Sequence, residues 1–497
     1  MRKLIVLFFV VCLLSGVSLA LASHGGLPSV GWNSGQQIQN IGSAPANVQL
    51  VAYTPHGFAY SCPEQVLAFG ESHTYLSDED ELNKVCLSDD FTEPLTLPWG
   101  FSGSGVVHSD QPLAGIVNIH NMGFGRAAGQ YNATLAAVVA TNLAFPLVKY
   151  NHGSPGRTTT FYIQNASSTN NTITATFHMG GTPYSTSYRN VKPYARVILQ
   201  PGDAVTSTAV TVGSLIVTGT QSLAGISLEH PTDEPVITGM QASRAFVASD
   251  YDDTLHCPLL RYQWAGAQTT TGLQVQNVGD QETDITVEYT VISGTVSIPV
   301  VTTMDVLPGA SANFLQENHF EPETLASAVI TSDPAVDLVA VVNDRADGTN
   351  PKRYLTYACF SDDNATTKVS LPLAKEHFHG NTSGVQVQNT GDLPIHLVLT
   401  YTTNTTNWTF VISTTSPIAA GASKTFWNLT GGGTKDIEII TTTVPIANFV
   451  NSNSGVIVES QSWNASKIQP IVAMAIESSE NIANPQDSKS YEGVNLE

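Results

Sequence analysis

One short string recurs four times along the chain and constrains its fold more than any other feature. Gln274-Val275-Gln276-Asn277-Val278-Gly279 returns as Gln386-Val387-Gln388-Asn389-Thr390-Gly391, as Gln37-Ile38-Gln39-Asn40-Ile41-Gly42, and more loosely as Tyr162-Ile163-Gln164-Asn165-Ala166-Ser167. The asparagines lie 125, 112 and 112 residues apart. Each string alternates apolar and polar residues, the period of a half-buried strand, and ends in turn chemistry. A second alternating strand follows, such as Ile285, Val287, Tyr289 and Val291. Repeat one is one residue longer before its aromatic Tyr53, which predicts a bulge or a longer turn.

Three further landmarks keep the same order. A Gly-x-Ser-x-x-aromatic turn occurs at Gly70, Gly309 and Gly421, with repeat two keeping only Pro201-Gly202. An apolar strand comes late in each unit, around Leu113, Leu223, Leu338 and Ile471. A Pro-containing apolar segment precedes each: Leu27-Pro28, Phe145-Pro146-Leu147, Cys257-Pro258-Leu259 and Leu371-Pro372-Leu373. No window sustains helical periodicity. The expectation is an all-β chain of four tandem immunoglobulin-like β-sandwich repeats, arranged as beads on a rod. The divisions read 1–22 leader, 23–143, 144–254, 255–367 and 368–480 for the sandwiches, and 481–497 for a polar tail.

The leader is read from a basic start, Met1-Arg2-Lys3, an apolar run from Leu4 to Leu14, and Ala20-Leu21-Ala22 as a small-residue cleavage signal. It predicts a secreted chain starting at Ser23 with no transmembrane segment. Cys62, Cys86, Cys257 and Cys359 remain, an even number that suits disulfides in an oxidising compartment. Three pairings are formally open; Cys62–Cys86 and Cys257–Cys359 are preferred because each stays within one repeat.

Only 12% of the 497 residues are charged, and the formal net charge is −21. That balance opposes nucleic-acid phosphates and anionic lipid, so neither is expected as a partner. The repeat resembles units of secreted bacterial proteins that carry W-N-T-G-x-Q-V-Q-N-x-G followed by a V-x-V-x-Y strand. The resemblance rests on Trp32-Asn33-Ser34-Gly35 before Gln37 and on Asn381-Thr382-Ser383-Gly384 before Gln386. It is broadly similar to cell-adhesion-related Ig-like modules as well. It implies an extracellular or surface protein and no catalytic residues.

No hydrolase, phosphate-loop, zinc-protease or calcium-loop motif is present, so no catalytic residue is assigned and no enzyme is expected. Asp252, Asp253, Asp362 and Asp363 fall at the junctions flanking repeat three, where carboxylates would suit structural Ca²⁺, the one cofactor considered. His377 and His379, two apart, read as solvated loop residues. So does the run Asp78-Glu79-Asp80-Glu81. Sequons mark Asn132, Asn165, Asn170, Asn364, Asn381, Asn404, Asn407, Asn428 and Asn464 as glycosylation candidates. The function expected is a noncatalytic extracellular structural or adhesion protein, self-associating into a fibre or surface layer or binding another extracellular protein. The alternative is carbohydrate binding through Trp32, Trp264, Trp408, Trp427 or Trp463.

Overall fold

The computed structural model describes the chain except residues 1–5, 11–26, 28–30, 77–84, 89, 91–92, 99–100, 122–126, 155, 208, 233–238, 347–352, 379, 404–407, 465–466, 480–488 and 496–497. The described chain is an all-β, sandwich-type fold of antiparallel sheets, with only short 3₁₀ turns besides. Among the described residues no helix is long and apolar enough to cross a membrane.

The four repeat segments share one plan. In repeat three, the strand bearing the motif asparagine (Thr269–Asn277) pairs with Ser311–Leu315 on one side and with the late strand Leu338–Ala346 on the other. The opposite sheet sets the first strand, Thr254–Tyr262, and the following strand, Thr283–Ser293, on either side of a middle strand, Thr324–Asp333. Repeat four repeats this with Asn381–Asn389 and Ile471–Ser479 in one sheet, and Lys368–Glu376, Ser452–Ser462 and Ile395–Thr403 in the other. In repeat two the middle and late strands are one continuous strand, Val212–Pro231. Its residues 213–219 pair with the following strand Asn171–Met179, and 223–231 with Arg157–Asn165.

The motif asparagines explain why the string recurs. Asn40, Asn165, Asn277 and Asn389 are all fully buried. Each donates through Nδ2 to the carbonyl four residues on, at 2.7–2.9 Å (Ala44, Thr169, Gln281, Leu393). Each also donates to the end of the hairpin that follows, at Leu67, Val191, Val306 and Ile418. Its Oδ1 accepts from the N–H two residues on (Gly42, Ser167, Gly279, Gly391). One buried side chain thus ties together three backbone groups of the turn and the hairpin that follows it.

The Gly of the Gly-x-Ser turn is explained by its backbone. Gly70, Gly309 and Gly421 sit at φ +70 to +78°, and each N–H donates to the motif asparagine's carbonyl. In repeat two this place belongs to Tyr194, at φ 57°, and not to Pro201-Gly202, which starts a separate 3₁₀ turn. The neighbouring Ala195 carbonyl accepts from Asn165 N–H just as Ala310 and Ala422 do from Asn277 and Asn389.

The Pro-containing segments form the first strands of repeats two to four. In Ala140–Lys149, Thr254–Tyr262 and Lys368–Glu376 the pairing register slips at the proline, between Phe145 and Val148, Cys257 and Leu260, and Leu371 and Ala374. Proline has no N–H for the ladder, so a bulge accommodates it. Repeat one differs. Its first strand is Val6–Val10, inside the expected leader, and Leu27 lies off any strand while packing in the core.

The separate beads expected from the tandem order are corrected by the packing. The chain forms two compact units, residues 1–249 and 250–497, each holding two repeats. Within the first, Ile226 and Leu228 of repeat two join the core of repeat one. Within the second, Met474 and Ile476, the residues at the same register, join the core of repeat three. The late strands are therefore covered on both faces, which accounts for their continuous apolar run. A serine seals each contact: Ser104 Oγ donates to the Tyr194 carbonyl, and Ser327 Oγ to the equivalent Gly421 carbonyl.

Two other boundaries shift. Repeat two begins at Ala140, so a division at 143 cuts its first strand. The expected tail is not free: Lys489–Glu492 pairs with the late strand Ile471–Ser479, and Val494–Asn495 pairs with the first strand of repeat four. Disulfides join Cys62 to Cys86 and Cys257 to Cys359.

Candidate functional site

In repeats two to four the first and late strands meet at one end of the sandwich and bring opposite charges together. Arg261 Nη2 lies 2.5 Å from Asp344 Oδ2 in repeat three. Lys149 Nζ lies 2.8 Å from Glu229 Oε2 in repeat two, and Lys375 Nζ 2.7 Å from Glu477 Oε1 in repeat four. The three acids occupy one register position, six residues beyond the partner of the motif asparagine. All three are buried, while each cation keeps a partly exposed side chain. Repeat one has Ile119 there.

The surroundings differ between repeats. Glu229 gains a second cation, Arg157. Burial alone would raise its carboxyl, but Lys149 and Arg157 together hold it at about 2. Asp344 has Arg261 alone, and burial wins, pushing its carboxyl above the usual carboxylate range. Repeat three has Thr269 at the register position of Arg157, and Thr269 and Asp344 both line an opening.

That opening is a cleft of about 400 Å³ between repeats three and four. Its floor carries Arg261 and Asp344. Trp264, Tyr354 and Leu325 line it from repeat three; Trp427, Thr425, Thr382 and Gln386 line it from repeat four. Trp427 is 47% exposed, an unusual position for so large an apolar ring. Gln386 is fixed: its Nε2 donates to the Pro258 carbonyl at 2.9 Å and to Ser423 Oγ at 2.8 Å. Ser423 Oγ donates to the same Pro258 carbonyl at 2.6 Å. The cleft walls are thereby held in place from both repeats. By contrast, the cavity beside Lys375 in repeat four holds only about 10 Å³, too small for more than a water.

Of the five tryptophans considered for carbohydrate, two reach this cleft. Trp32 is 1% exposed and belongs to the core of repeat one. Trp463 packs against His396, with ring centroids 4.1 Å apart and planes inclined at 55°. Trp408 is half-buried beside Thr403, to whose hydroxyl its backbone N–H donates. That Trp264 and Trp427 line one cleft was not legible, because they lie far apart in the chain and share it only when two sandwiches pack.

The junction carboxylates act as hydrogen-bond acceptors. Asp252 Oδ2 accepts from Asp363 N–H and Oδ1 from Thr254 N–H; Asp253 accepts from Thr254 Oγ1. Asp362 Oδ1 lies 3.0 Å from His256 Nε2. Among the described residues, no group of three or more His, Cys, Asp or Glu is arranged to hold a metal ion. His377 Nε2 bonds Asn428 Oδ1 at 3.0 Å, whereas His379 and the run 78–81 lie outside the described residues.

Among the sequons, Asn165 is corrected outright: its amide is buried and used in the fold, so it offers no attachment point in the folded chain. Asn170 and Asn464 are exposed. Asn132, Asn364, Asn381 and Asn428 are half-buried, and Asn404 and Asn407 lie outside the described residues.

No protein-family model matches this chain, and no curated protein matches it. Among solved structures, a chain of a 1.5-MDa bacterial ice-binding adhesin aligns with 72% of this chain and 98% of its own length, at 11% identity. Its TM-score of 0.11 is too low to support any argument about fold or function.

Proposed function

We propose that the protein is a noncatalytic, extracellular adhesion protein that recognises carbohydrate in the cleft between repeats three and four. The observation that carries this reading is that Trp264 and Trp427 line one cleft together with Arg261 and Asp344. Sugar rings stack their apolar faces on indole, while their hydroxyls need fixed donors and acceptors. The volume suits one or two sugar residues, and the Gln386 and Ser423 bonds hold the walls without a ligand. Two disulfides fit an oxidising compartment.

The test is a glycan array with the purified chain, followed by calorimetry on the best binder. Binding that falls at least tenfold in Trp427→Ala, with unchanged circular dichroism, supports the reading. An array without binders overturns it.

A second reading, assembly through strand edges, draws on the outermost strands of the second unit. Ile437–Thr442 exposes Ile439 and Ile440, and Val300–Val306 exposes Val300 and Met304. Exposed apolar edge strands invite pairing with another chain. Sedimentation that stays monomeric at high concentration would remove it.

A further inference from the structure

Repeat one obtains its first strand from a place no other repeat uses. Val6–Val10 lies between two strands: it pairs with Ser109–Gly105 along its whole length, and Phe8 and Phe9 pair with Leu135 and Thr134. The first strands of repeats three and four are held the same way, between the middle strand and a short strand at the end of the repeat, Phe360–Ser361 or Val494–Asn495. So Val6–Val10 is an interior strand, and among the described residues nothing else bridges Ser104–Ser109 to Thr134–Leu135.

The chain next to repeat one cannot replace it. In repeats two to four the connection from the first strand to the asparagine strand takes seven, six and four residues. Counting back the same way from Trp32 places a first strand across the Ala22–Ser23 bond. Beyond that bond only Ser23-His24-Gly25-Gly26-Leu27 would remain, a run with paired glycines and one apolar residue. Leu27 is already committed to the core. Pro28 also lies too close to Asn40 to act as the bulge proline of the other repeats. Repeat one has Ile119 where the others place an acid facing a first-strand cation, so its late strand makes no demand on a native first strand.

We propose that removal of residues 1–22 leaves the first sandwich one strand short, and that the gap between Ser104–Ser109 and Thr134–Leu135 binds an extended apolar segment donated by another polypeptide. The proposal rests on the export reading above. The occupant's chemistry is set by the segment that fills the gap in the full chain: five apolar residues running antiparallel to Ser104–Ser109, without proline. The gap offers backbone donors and acceptors from both sides, and its floor includes Val107, which is fully buried in the core. Strand addition of this kind takes affinity from the ladder and specificity from alternate side chains.

The experiment compares residues 23–497 with the full chain, using a labelled peptide of residues 4–10 and the same peptide with Phe8→Pro as probes. Expected is saturable 1:1 binding of the unmodified peptide to 23–497, at least tenfold weaker binding of the proline peptide, and none to the full chain. Hydrogen exchange at Gly105, Val107 and Ser109 should be fast in 23–497 and slow once peptide is bound. Slow exchange at these amides in a sedimentation monomer without peptide, together with no binding, would overturn the proposal, because the chain then closes its own gap. Mass spectrometry of the protein as its host makes it tests export separately. An intact N-terminus on exported protein overturns the open gap but leaves export standing; a chain found only inside the cell overturns export, and peptide binding to 23–497 still decides the gap.

Discussion

Arg261 faces Asp344 at the same register at which Lys375 faces Glu477, so one charge pair recurs in sandwiches whose surroundings differ. A buried pair needs further hydrogen bonds to offset desolvation. Glu229, with two cations, meets that requirement better than Asp344 with one.

The two acids should therefore answer acid in opposite directions. Glu229 is held at about 2 against an ordinary 4.5, a lowered value. Its contribution is complete above pH 4.5 and is lost as the pH falls towards 2; it amounts to about 3 kcal/mol. Asp344 is raised, so its ionised form costs stability at neutral pH, and that cost is relieved on mild acidification. Urea unfolding from pH 7 to 3 should show that Glu229→Gln removes part of the acid-induced loss. Asp344→Asn should be the milder change at pH 7.

Removing a motif asparagine should be severe. Asn277→Ala removes the donor to the carbonyls of Gln281 and Val306, and leaves the N–H of Gly279 only its bond to the Asp337 carbonyl. A loss of about 3 kcal/mol or more is expected. Asn277→Asp should not rescue it, because the carboxylate accepts but does not donate. Equilibrium unfolding of both variants checks this.

Two tryptophans should separate stability from binding. Trp32→Ala empties a core site and should cost about 3–5 kcal/mol. Trp427→Ala, at a ring 47% exposed, should shift the melting temperature little while removing ligand binding. Differential scanning calorimetry beside the glycan assay distinguishes them.

The disulfides should contribute unequally. Cys257 and Cys359 are 102 residues apart, Cys62 and Cys86 only 24. Loop-closure entropy assigns about 4.7 kcal/mol to the longer and about 3 kcal/mol to the shorter. Paired Cys→Ser variants, compared by chemical unfolding, should show the larger loss for Cys257 and Cys359.

The strands and turns were legible because their causes are local. The alternation of Leu273 and Val275 with Gln274 and Gln276 requires only the period of a strand, and Gly309 and Gly421 only a positive φ. Tyr194 was missed because a tyrosine holds a conformation that usually selects glycine. The cleft and the pairing of repeats were not legible, because they arise where Met474 and Ile476 enter the core of repeat three. In the sequence these two look like any other strand residues. The charge pairs escaped notice for a similar reason: Lys375 and Glu477 share no local motif, only a register.

The strand Val212–Pro231 has a mechanical consequence. Because one unbroken backbone pairs with Asn171–Met179 through residues 213–219 and with Arg157–Asn165 through residues 223–231, the strands of repeat two form one continuous sheet. Force entering at one of these partner strands is passed towards the other along covalent bonds rather than through side-chain packing. Repeat two should therefore yield to tension in a single step.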